Sequence, residues 1–363
     1  MKVLLTGDVN LMNVADPAEP FAQVAAEFKS ADLVFSNLEC CFYEPDAAHA
    51  LDREGFFAPL ASAEALKIAG VHAVGIANNV NYGTAPILSS IARLDQLGVP
   101  HSGAGANLQK AREPVVLERR GLRIGMLQRT SVFWTTDHEA ADNAVGVATI
   151  RGHTAYQVPM FRSGPGAIPL NRPGVAPAIL TWADPPSLQR FRDDVAALKA
   201  KSDIVIASCH WGVDQTVFKY MREIAHTAID AGADVVFGHG PHFSLPVESY
   251  RGNPIYYGLG SFSFHTGHGG IKHGDWVGML AKVTFDGTAV KKATFQFVRH
   301  NEDNETVLCP LKNEGEVFGQ VSTGSTQLGS KLTPQGDEVA IEAVCLKRLR
   351  RALRRRFVTR VHP

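Results

Sequence analysis

The stretch that decides the fold is Ala233-Asp234-Val235-Val236-Phe237-Gly238-His239-Gly240-Pro241-His242, an apolar run followed by a turn with two histidines. The apolar run predicts a buried strand, and Gly238, Gly240 and Pro241 favour a turn at its end. Imidazole is a ligand for Zn, Mn and Fe, and a loop at a strand end holds its side chains on a rigid scaffold. The stretch therefore predicts a strand that carries metal ligands at its carboxyl end.

The same arrangement occurs twice more upstream. Asp203–Cys209 is an apolar run followed by His210-Trp211-Gly212, and Val3-Leu4-Leu5-Thr6 leads into Gly7-Asp8. Over the first hundred or so residues, apolar runs alternate with segments of helical period, which predicts α/β units with buried strands. Farther along, apolar runs joined by short turns such as Arg251-Gly252-Asn253 predict hairpins. The sequence thus predicts an α/β (α+β) protein with a mixed sheet or a two-sheet sandwich.

The composition is typical of a soluble globular protein, with 363 residues of which 45% are apolar and 20% are charged. A formal net charge of zero argues against nucleic acid or an anionic membrane as a partner of the whole molecule. Five cysteines without a CxxC pair favour a reducing compartment. Neither a signal peptide nor an apolar stretch of about 20 residues is visible, which predicts a cytoplasmic protein without a membrane anchor. Assembly as a homo-oligomer is left open.

Two parts of the chain interrupt the alternation of strands and helices. Residues 134–187 are rich in Gly, Pro, Thr and Asp, and they predict an irregular insertion. Residues 301–337 are polar and Gly-rich, and they predict a surface segment without regular structure. We therefore divide the chain into a main domain, residues 1–299, and a C-terminal extension, residues 300–363.

The end of the extension has the pattern of a basic amphipathic helix. Four apolar residues of Val339–Arg360 would share one helical face: Leu346, Leu349, Leu353 and Phe357. Eight basic residues fall between Lys347 and Arg360. We expect this helix to dock on its own domain with a solvated basic face, and contact with an anionic surface or with nucleic acid is the alternative.

Polar side chains follow several predicted strands at their carboxyl ends. They comprise carboxylates, amides and imidazoles: Asp8, Asn10, Glu39, Asn79, His210, His239 and His242. This set is sufficient for two divalent ions that share a carboxylate, and its oxygen and nitrogen donors favour Mn, Fe or Zn. Two ions about 3.5–4 Å apart can clamp a phosphoryl or carbonyl oxygen and activate water. Turn histidines and helix-capping carboxylates are the structural alternative.

Two further residues near these strand ends were weighed for a part in chemistry. Arg129 follows the predicted strand Leu122–Leu127, and it could face the cleft and bind an anionic substrate. Cys209 lies next to His210, but neighbouring strand residues face opposite sides, so we expect a packed thiol rather than a nucleophile.

Six motifs, in their order along the chain, resemble a known family: Gly7-Asp8, Asn37-Leu38-Glu39, Ala77-Asn78-Asn79, His210-Trp211-Gly212, Gly238-His239-Gly240-Pro241-His242 and Tyr257-Gly258-Leu259-Gly260-Ser261-Phe262. They resemble the CapA family, which is named for capsule and poly-γ-glutamate synthesis and belongs to the calcineurin-like metallophosphoesterase superfamily. The resemblance covers roughly Met1 to Arg299. It implies that residues 1–299 form a metallophosphoesterase-like catalytic domain, a four-layer αββα sandwich of mixed β-sheets with a dinuclear site at one sheet edge.

The resemblance also implies how the ligands divide between the two ions. Glu39 would bridge both ions. The first ion would be held by Asp8 and His242, with Asn10 in the place of a superfamily histidine. The second ion would be held by Asn79, His210 and His239.

One segment departs from the family pattern. Such proteins read Asn-Asn-His, two further residues and Asp-Tyr-Gly, whereas this chain has Asn78-Asn79-Val80-Asn81-Tyr82-Gly83. Val80 can neither stabilise charge nor protonate a leaving group, and general-acid help is worth roughly 10²–10⁴-fold in rate. His265 is the first candidate to replace this acid, ahead of His153, Tyr156, His268 and His273.

These observations predict a dinuclear-metal hydrolase of CapA-like type that acts on a phosphoester, or on an amide or related C–N bond, of a small anionic substrate. One alternative is a non-catalytic metal-binding or ligand-binding protein in a biosynthetic assembly, or a poly-γ-glutamate or capsule biosynthesis factor. Another is an interaction protein that works through the basic C-terminal stretch.

Overall fold

The computed structural model describes residues 1–45, 55–158, 174–267, 271–272 and 274–343. The helices of these residues are α1 (Ala25–Lys29), α2 (Glu64–Ala69), α3 (Thr84–Leu97), α4 (Leu108–Arg112), α5 (Pro185–Lys199), α6 (Lys219–Asp230) and α7 (Gly315–Gln327). The strands are β1 (Lys2–Asn10), β2 (Leu33–Leu38), β3 (Cys41–Phe42), β4 (Phe57–Ala58), β5 (Ala73–Gly75), β6 (His101–Ser102), β7 (Ala104–Gly105), β8 (Val115–Arg119), β9 (Leu122–Thr130), β10 (Gly146–Val147), β11 (Gly152–Gln157), β12 (Ala178–Ala183), β13 (Ile204–His210), β14 (Val235–His239), β15 (Val247–Tyr250), β16 (Asn253–Tyr256), β17 (Ser261–Phe264), β18 (Gly278–Asp286), β19 (Ala289–His300), β20 (Thr306–Leu308), β21 (Ser330–Gln335) and β22 (Glu338–Ala343).

The larger sheet contains ten strands of the described residues. Its order is β21-β22-β19-β18-β1-β2-β5-β6, with β17 paired to β1 and β20 paired to β19. The strands β1, β2, β5, β6 and β17 pair in parallel, whereas β18 to β22 pair antiparallel. The parallel part is built from the strand–helix units at the start of the chain, because parallel neighbours need a crossover connection.

The smaller sheet contains six strands of the described residues in the order β15-β16-β14-β13-β9-β8. Its four central strands are parallel, and β8 and β15 pair antiparallel at the edges. The hairpin predicted around Arg251-Gly252-Asn253 is the β15–β16 pair. An α/β fold with mixed sheets is therefore confirmed.

Successive side chains of the central strands point to opposite faces of each sheet and contribute to three apolar cores. One core contains residues of both sheets, among them Leu5, Phe35, Ile206 and Phe237. A second core joins Leu4 and Val34 of the larger sheet to residues of α1, α2 and α3: Phe28, Leu66, Ile87 and Leu94. A third joins Val205 and Val236 of the smaller sheet to residues of α5 and α6: Val195, Leu198 and Ile224. The central strands β1, β2, β13 and β14 therefore bury both faces, as their nearly continuous apolar sequences predict.

The C-terminal part differs from the expectation for residues 301–337. These residues form β20, α7 and β21, and α7 buries Val321 in the core shared by the two sheets. The prediction of a helix from Val339 onward is wrong for residues 339–343, because residues 338–343 form β22, which pairs with β19. The larger sheet thus continues past the boundary placed at residue 299. The basic stretch between Lys347 and Arg360 lies outside the described residues.

The expectation of a wholly irregular insertion over residues 134–187 is also wrong. Its described residues contain β10 and the β11–β12 hairpin, and α5 already begins at Pro185. Asp184 caps α5 by accepting a hydrogen bond from the Ser187 backbone amide at 2.9 Å. None of the helices in the described part of the chain combines the length and the apolar character needed to cross a bilayer.

Candidate metal centre

The site lies where the carboxyl ends of four strands from both sheets meet. In the larger sheet, β1 and β2 bring Asp8 opposite Asn37, with a register shift just before Asp8. In the smaller sheet, β13 and β14 bring His210 opposite His239. Gly7 allows the loop before β17 to approach β1 closely, because a Cβ at this position would lie 1.8 Å from the Gly260 carbonyl oxygen. The strand-end ligands predicted from the sequence therefore converge on one region.

A first group of candidate ligands consists of Asp8, His210 and His239, whose donor atoms all lie within 4.8 Å of one another. The Nδ1 atoms of His210 and His239 are 3.1 Å apart, and His239 Nδ1 is 3.6 Å from Asp8 Oδ1. On its other side, His210 Nε2 lies 2.7 Å from Asn79 Oδ1. Since this amide oxygen can only accept, Nε2 carries the proton and leaves Nδ1 free to bind a cation.

A second group consists of Asp8, Glu39 and His242. The Nδ1 atom of His242 is 3.1 Å from Asp8 Oδ2, and its Nε2 atom is 3.8 Å from Glu39 Oε1. His242 has a φ of 63°, a left-handed conformation that follows the Gly240-Pro241 turn. Its side chain is 30% exposed, whereas that of Asp8 is fully buried. Asp8 is the carboxylate common to both groups, and the bridging role that the resemblance implies for Glu39 stays a prediction.

The electrostatics of these groups favour bound cations. Burial, together with the neighbouring Asp8 carboxylate, raises the pKa of Glu39 well above its ordinary value. Burial alone would raise the pKa of Asp8, but the hydrogen bond and charge of His242, with smaller effects of His239 and His210, lower it. Among the described residues, only histidines form ion pairs with the two carboxylates. Two buried carboxylates without an ammonium or guanidinium partner fit divalent cations.

The buried histidines of the first group, His210 and His239, are neutral near pH 7. Burial lowers the pKa of His239 to about 4, although Asp8 opposes this shift. Burial, and then the nearby His239, lowers the pKa of His210 well below its ordinary value. Neutral imidazole is the form that binds a metal ion.

A hydrogen-bond network behind the ligands holds them in place. Asn37 donates to Asp8 Oδ1 at 2.8 Å. Gln128 accepts from the Ala77 amide at 2.6 Å and donates to Asn37 Oδ1 at 2.8 Å. Its amide nitrogen also lies 3.0 Å from His239 Nε2. Ser208 Oγ lies 2.9 Å from the same His239 nitrogen. Sequence reasoning missed Gln128 and Ser208.

Two of the predicted site residues, Asn10 and Arg129, make their hydrogen bonds outside the two ligand groups. Asn10 donates to the Thr266 carbonyl at 2.6 Å and accepts from the Met12 amide at 2.9 Å, so its side chain supports loops beside the site. Arg129 does not face the cleft, and this prediction is wrong. Its buried guanidinium donates to Asp194 on α5 at 2.6 Å, because Arg129 lies opposite Cys209 on the outer face of the smaller sheet.

The acid candidates lie in different places. The ring of His265 packs edge-on against His300, with 5.2 Å between centroids, and its role as an acid stays a prediction. The Nε2 atom of His153 is 3.2 Å from Asp184 Oδ1, and Tyr156 is exposed on β11. His268 and His273 lie outside the described residues. Val80 is buried in the core beside α3. Cys209 is a buried free thiol, as predicted.

A segment that sequence reasoning treated as irregular also reaches the site. Trp134 donates its indole Nε1–H to the Asn79 carbonyl at 2.9 Å. His138 is fully buried, and its Nε2 atom is 3.0 Å from the Asn81 carbonyl. Neither residue stands at the end of a predicted strand, so the strand-end pattern could not identify them.

The fold and the site together define an α/β protein with two carboxylate–histidine groups at the carboxyl edge of paired sheets. The chain belongs to the family described as bacterial capsule synthesis protein PGA_cap, whose model matches residues 2–266. The CapA resemblance is thereby confirmed, and with it membership of the metallophosphoesterase-like superfamily.

Curated relatives carry names from polymer synthesis. The chain is 28% identical to the PGA biosynthesis protein CapA of Bacillus subtilis (strain 168) over 253 residues, which cover 68% of this chain and 57% of that protein. It is 32% identical over 198 residues to a probable polyglutamine synthesis accessory protein of Mycobacterium tuberculosis (strain ATCC 25618 / H37Rv), covering 52% and 44% of the two chains. The chain thus spans about half the length of these relatives.

One solved structure is similar at low sequence identity. The crystal structure of a hypothetical protein from Thermus thermophilus has a TM-score of 0.47 and 15% identity, and the match covers 83% of this chain and 100% of that chain.

Proposed function

We propose that the chain is a hydrolase that uses two divalent metal ions, Mn, Fe or Zn, to act on a phosphoester, or on an amide or related C–N bond, of a small anionic substrate. The observation that supports it is the Asp8 carboxylate, which belongs to both ligand groups. When bound, two such ions polarise the bond under attack and activate water. The αββα layering of the superfamily is part of this proposal, and the three apolar cores support it.

The residues of the chain would divide the work as follows. Asp8 would serve both ions, one held with His210 and His239 and the other with His242 and Glu39. Two divalent ions against two carboxylates leave a net positive charge, which attracts an anionic substrate without a nearby arginine. Since His242 is the partly exposed ligand, we expect the substrate to approach from its side.

The test is metal content per chain, followed by hydrolysis assays on phosphoester and γ-glutamyl panels with Mn, Fe and Zn. We expect near two ions in the wild type and loss of turnover in His210→Ala and His239→Ala. His226→Gln is the matched control, because His226 on α6 pairs with Glu248 on β15, away from the ligands. Turnover that persists in both alanine variants would refute the hydrolase proposal.

A second candidate is a non-catalytic metal-binding or ligand-binding protein in a biosynthetic assembly, or a poly-γ-glutamate or capsule biosynthesis factor. The name of the mycobacterial relative, an accessory protein, favours it, as does the buried Val80 where the family carries a histidine. It predicts bound metal without turnover on either panel, and any metal-dependent turnover lost in His239→Ala would exclude it.

The remaining expectations about surroundings are also proposals. We propose a cytoplasmic location. The third candidate function is that of an interaction protein, which contacts a partner through the basic C-terminal stretch. Deletion of Lys347–Pro363 should then abolish partner binding and leave the metal content unchanged. Partner binding that survives the deletion would refute this role.

A further inference from the structure

The segment from Ser131 to Ile150 lies beside the metal centre and contacts both sheets. The Ser131 amide donates to the His210 carbonyl at 2.8 Å, at the end of β13. The Ala148 amide donates to the Gly103 carbonyl at 2.7 Å, in the turn that follows β6 of the larger sheet. The segment is therefore anchored to the end of β13, which carries His210, and to the turn after β6 of the larger sheet.

Trp134 connects this segment directly to Asn79. Its indole nitrogen donates to the Asn79 backbone carbonyl at 2.9 Å. Its ring meets Tyr82 edge-on, with 6.2 Å between centroids. The ring is 57% exposed, so burial does not explain its position. The contact fixes the backbone at the residue whose side chain accepts from His210 Nε2.

His138 holds the loop that carries Asn79 at a second point, the Asn81 carbonyl. The Trp134 backbone amide donates to His138 Nδ1 at 3.0 Å, and His138 Nε2 lies 3.0 Å from the Asn81 carbonyl. A backbone amide can only donate and a carbonyl can only accept, so the ring is neutral with its proton on Nε2. Both nitrogens are occupied, and the Nε2 proton of the buried ring points at the Asn81 carbonyl rather than at a substrate. His138 therefore holds the loop and does not replace the missing acid.

We propose that Trp134 and His138 are positioning residues for the metal centre, because they hold the backbone of the Asn79–Asn81 loop, whose Asn79 side chain lies beside His210. The inference rests on the proposed metal site and deepens it. Trp134 contacts the Asn79 carbonyl, Asn79 Oδ1 contacts His210 Nε2, and His210 would hold the ion together with Asp8 and His239. A partner that orients a ligating histidine typically contributes about 10–100-fold in metal affinity.

The experiment is a Mn²⁺ titration of the full chain, with thermal unfolding in chelator measured on the same samples. Trp134→Phe removes the indole donor and keeps a ring beside Tyr82. We expect it to weaken the ion bound with His210 by about 10–100-fold and to leave the other ion unchanged. Trp182→Phe is the matched control, because Trp182 is an exposed tryptophan on the β11–β12 hairpin.

A double-mutant cycle separates positioning from a general structural effect. Because Trp134 acts through Asn79, Asn79→Ala with Trp134→Phe should bind Mn²⁺ no more weakly than Asn79→Ala alone. His138→Asn keeps an acceptor for the Trp134 amide and loses the reach to Asn81, and we expect it to show the same selective loss.

Two results would overturn the inference in distinguishable ways. Trp134→Phe with wild-type affinity for both ions would show that the indole contact does not position the site, while the proposed function survives. A wild-type chain that binds no Mn²⁺, Fe or Zn would remove the inference together with the proposed function.

Discussion

The Oδ1 atom of Asn79 lies 2.7 Å from Nε2 of His210, although 131 residues separate them in the chain. Asn79 follows β5 of the larger sheet, and His210 ends β13 of the smaller sheet. One hydrogen bond therefore joins the two sheets at the site and fixes which nitrogen of His210 faces the carboxylates. We expect Asn79→Ala to lower the affinity for one ion by about 10–100-fold, whereas Asn79→Asp, which keeps an acceptor, should retain it. Mn²⁺ titration of both variants checks this.

The shared position of Asp8 predicts how the metal content divides. His210→Ala and His242→Ala should each retain about one ion, because each removes a ligand of one group only. Asp8→Asn should retain less than one, since it removes the carboxylate common to both groups. Elemental analysis of the three variants decides the matter. If Asp8→Asn keeps one ion and Glu39→Gln keeps none, Glu39 is the bridging carboxylate.

The raised pKa of Glu39 predicts opposite effects of one substitution with and without metal. Burial and the Asp8 charge disfavour the ionised Glu39, so the metal-free protein should lose stability as the pH rises through its folded pKa. Glu39→Gln removes this charge and should stabilise the metal-free protein by roughly 1–3 kcal/mol. In metal-loaded protein the same change should destabilise. Urea unfolding with chelator and with Mn²⁺ measures both, and Glu118→Gln on the exposed face of β8 is the control.

His138 predicts a loss of stability in acid. Burial lowers its pKa from 6.5 to about 4, although the hydrogen bond to Asn81 opposes the shift. Between these values the unfolded chain binds more protons than the folded chain. The contribution of neutral His138 to the free energy of unfolding is therefore complete above pH 6.5. It is lost as the pH falls toward 4, by up to roughly 3 kcal/mol.

The measurement is urea unfolding at pH 7.5 and pH 4.5 for the wild type and His138→Gln. The difference in unfolding free energy between the two pH values should be smaller in the variant. His153→Gln is the control, since His153 is 44% exposed. An equal difference in His138→Gln and wild type would contradict the prediction.

Gln128 predicts a combined effect on stability and metal binding. Gln128→Met keeps the volume and leaves the Ala77 amide and the Asn37 side-chain carbonyl oxygen without their buried partner. We expect a loss of roughly 2–4 kcal/mol in unfolding free energy and weaker Mn²⁺ binding. Gln189→Met on the exposed face of α5 should change neither. Wild-type stability in Gln128→Met would mean that water or a rotated neighbour replaces these bonds.

Strand ends could be recognised from the sequence because each buried strand is a continuous apolar run that stops at a polar residue. Six of the predicted ligands lie around one point for this reason, with only Asn10 turned into the loops. The supporting residues could not be found this way. Gln128 meets His239 across 111 residues, and the registers of β9 against β13 and of β13 against β14 together bring them to one face.

The same register explains the misplacement of Arg129. The pairing of Arg129 with Cys209 places both on the outer face, whereas Gln128 pairs with Ser208 on the inner face. A shift of one residue would exchange the two, and the sequence of β9 alone does not determine that shift. The segment after β19 was misjudged for another reason. Its helix α7 contains three glycines, and Val317, Phe318 and Val321 are too few to show a helical period.

The joining of ligands from two sheets also has a kinetic consequence. The Gly240 amide reaches Asp8 Oδ2 across 232 residues, so the site forms only after the sheets have docked. Contacts this distant in sequence form late in folding. Ions that bind after the docking step should slow unfolding and leave the folding rate unchanged. Chelation would then shorten the lifetime of the native chain without hindering its return, as stopped-flow unfolding and refolding would show.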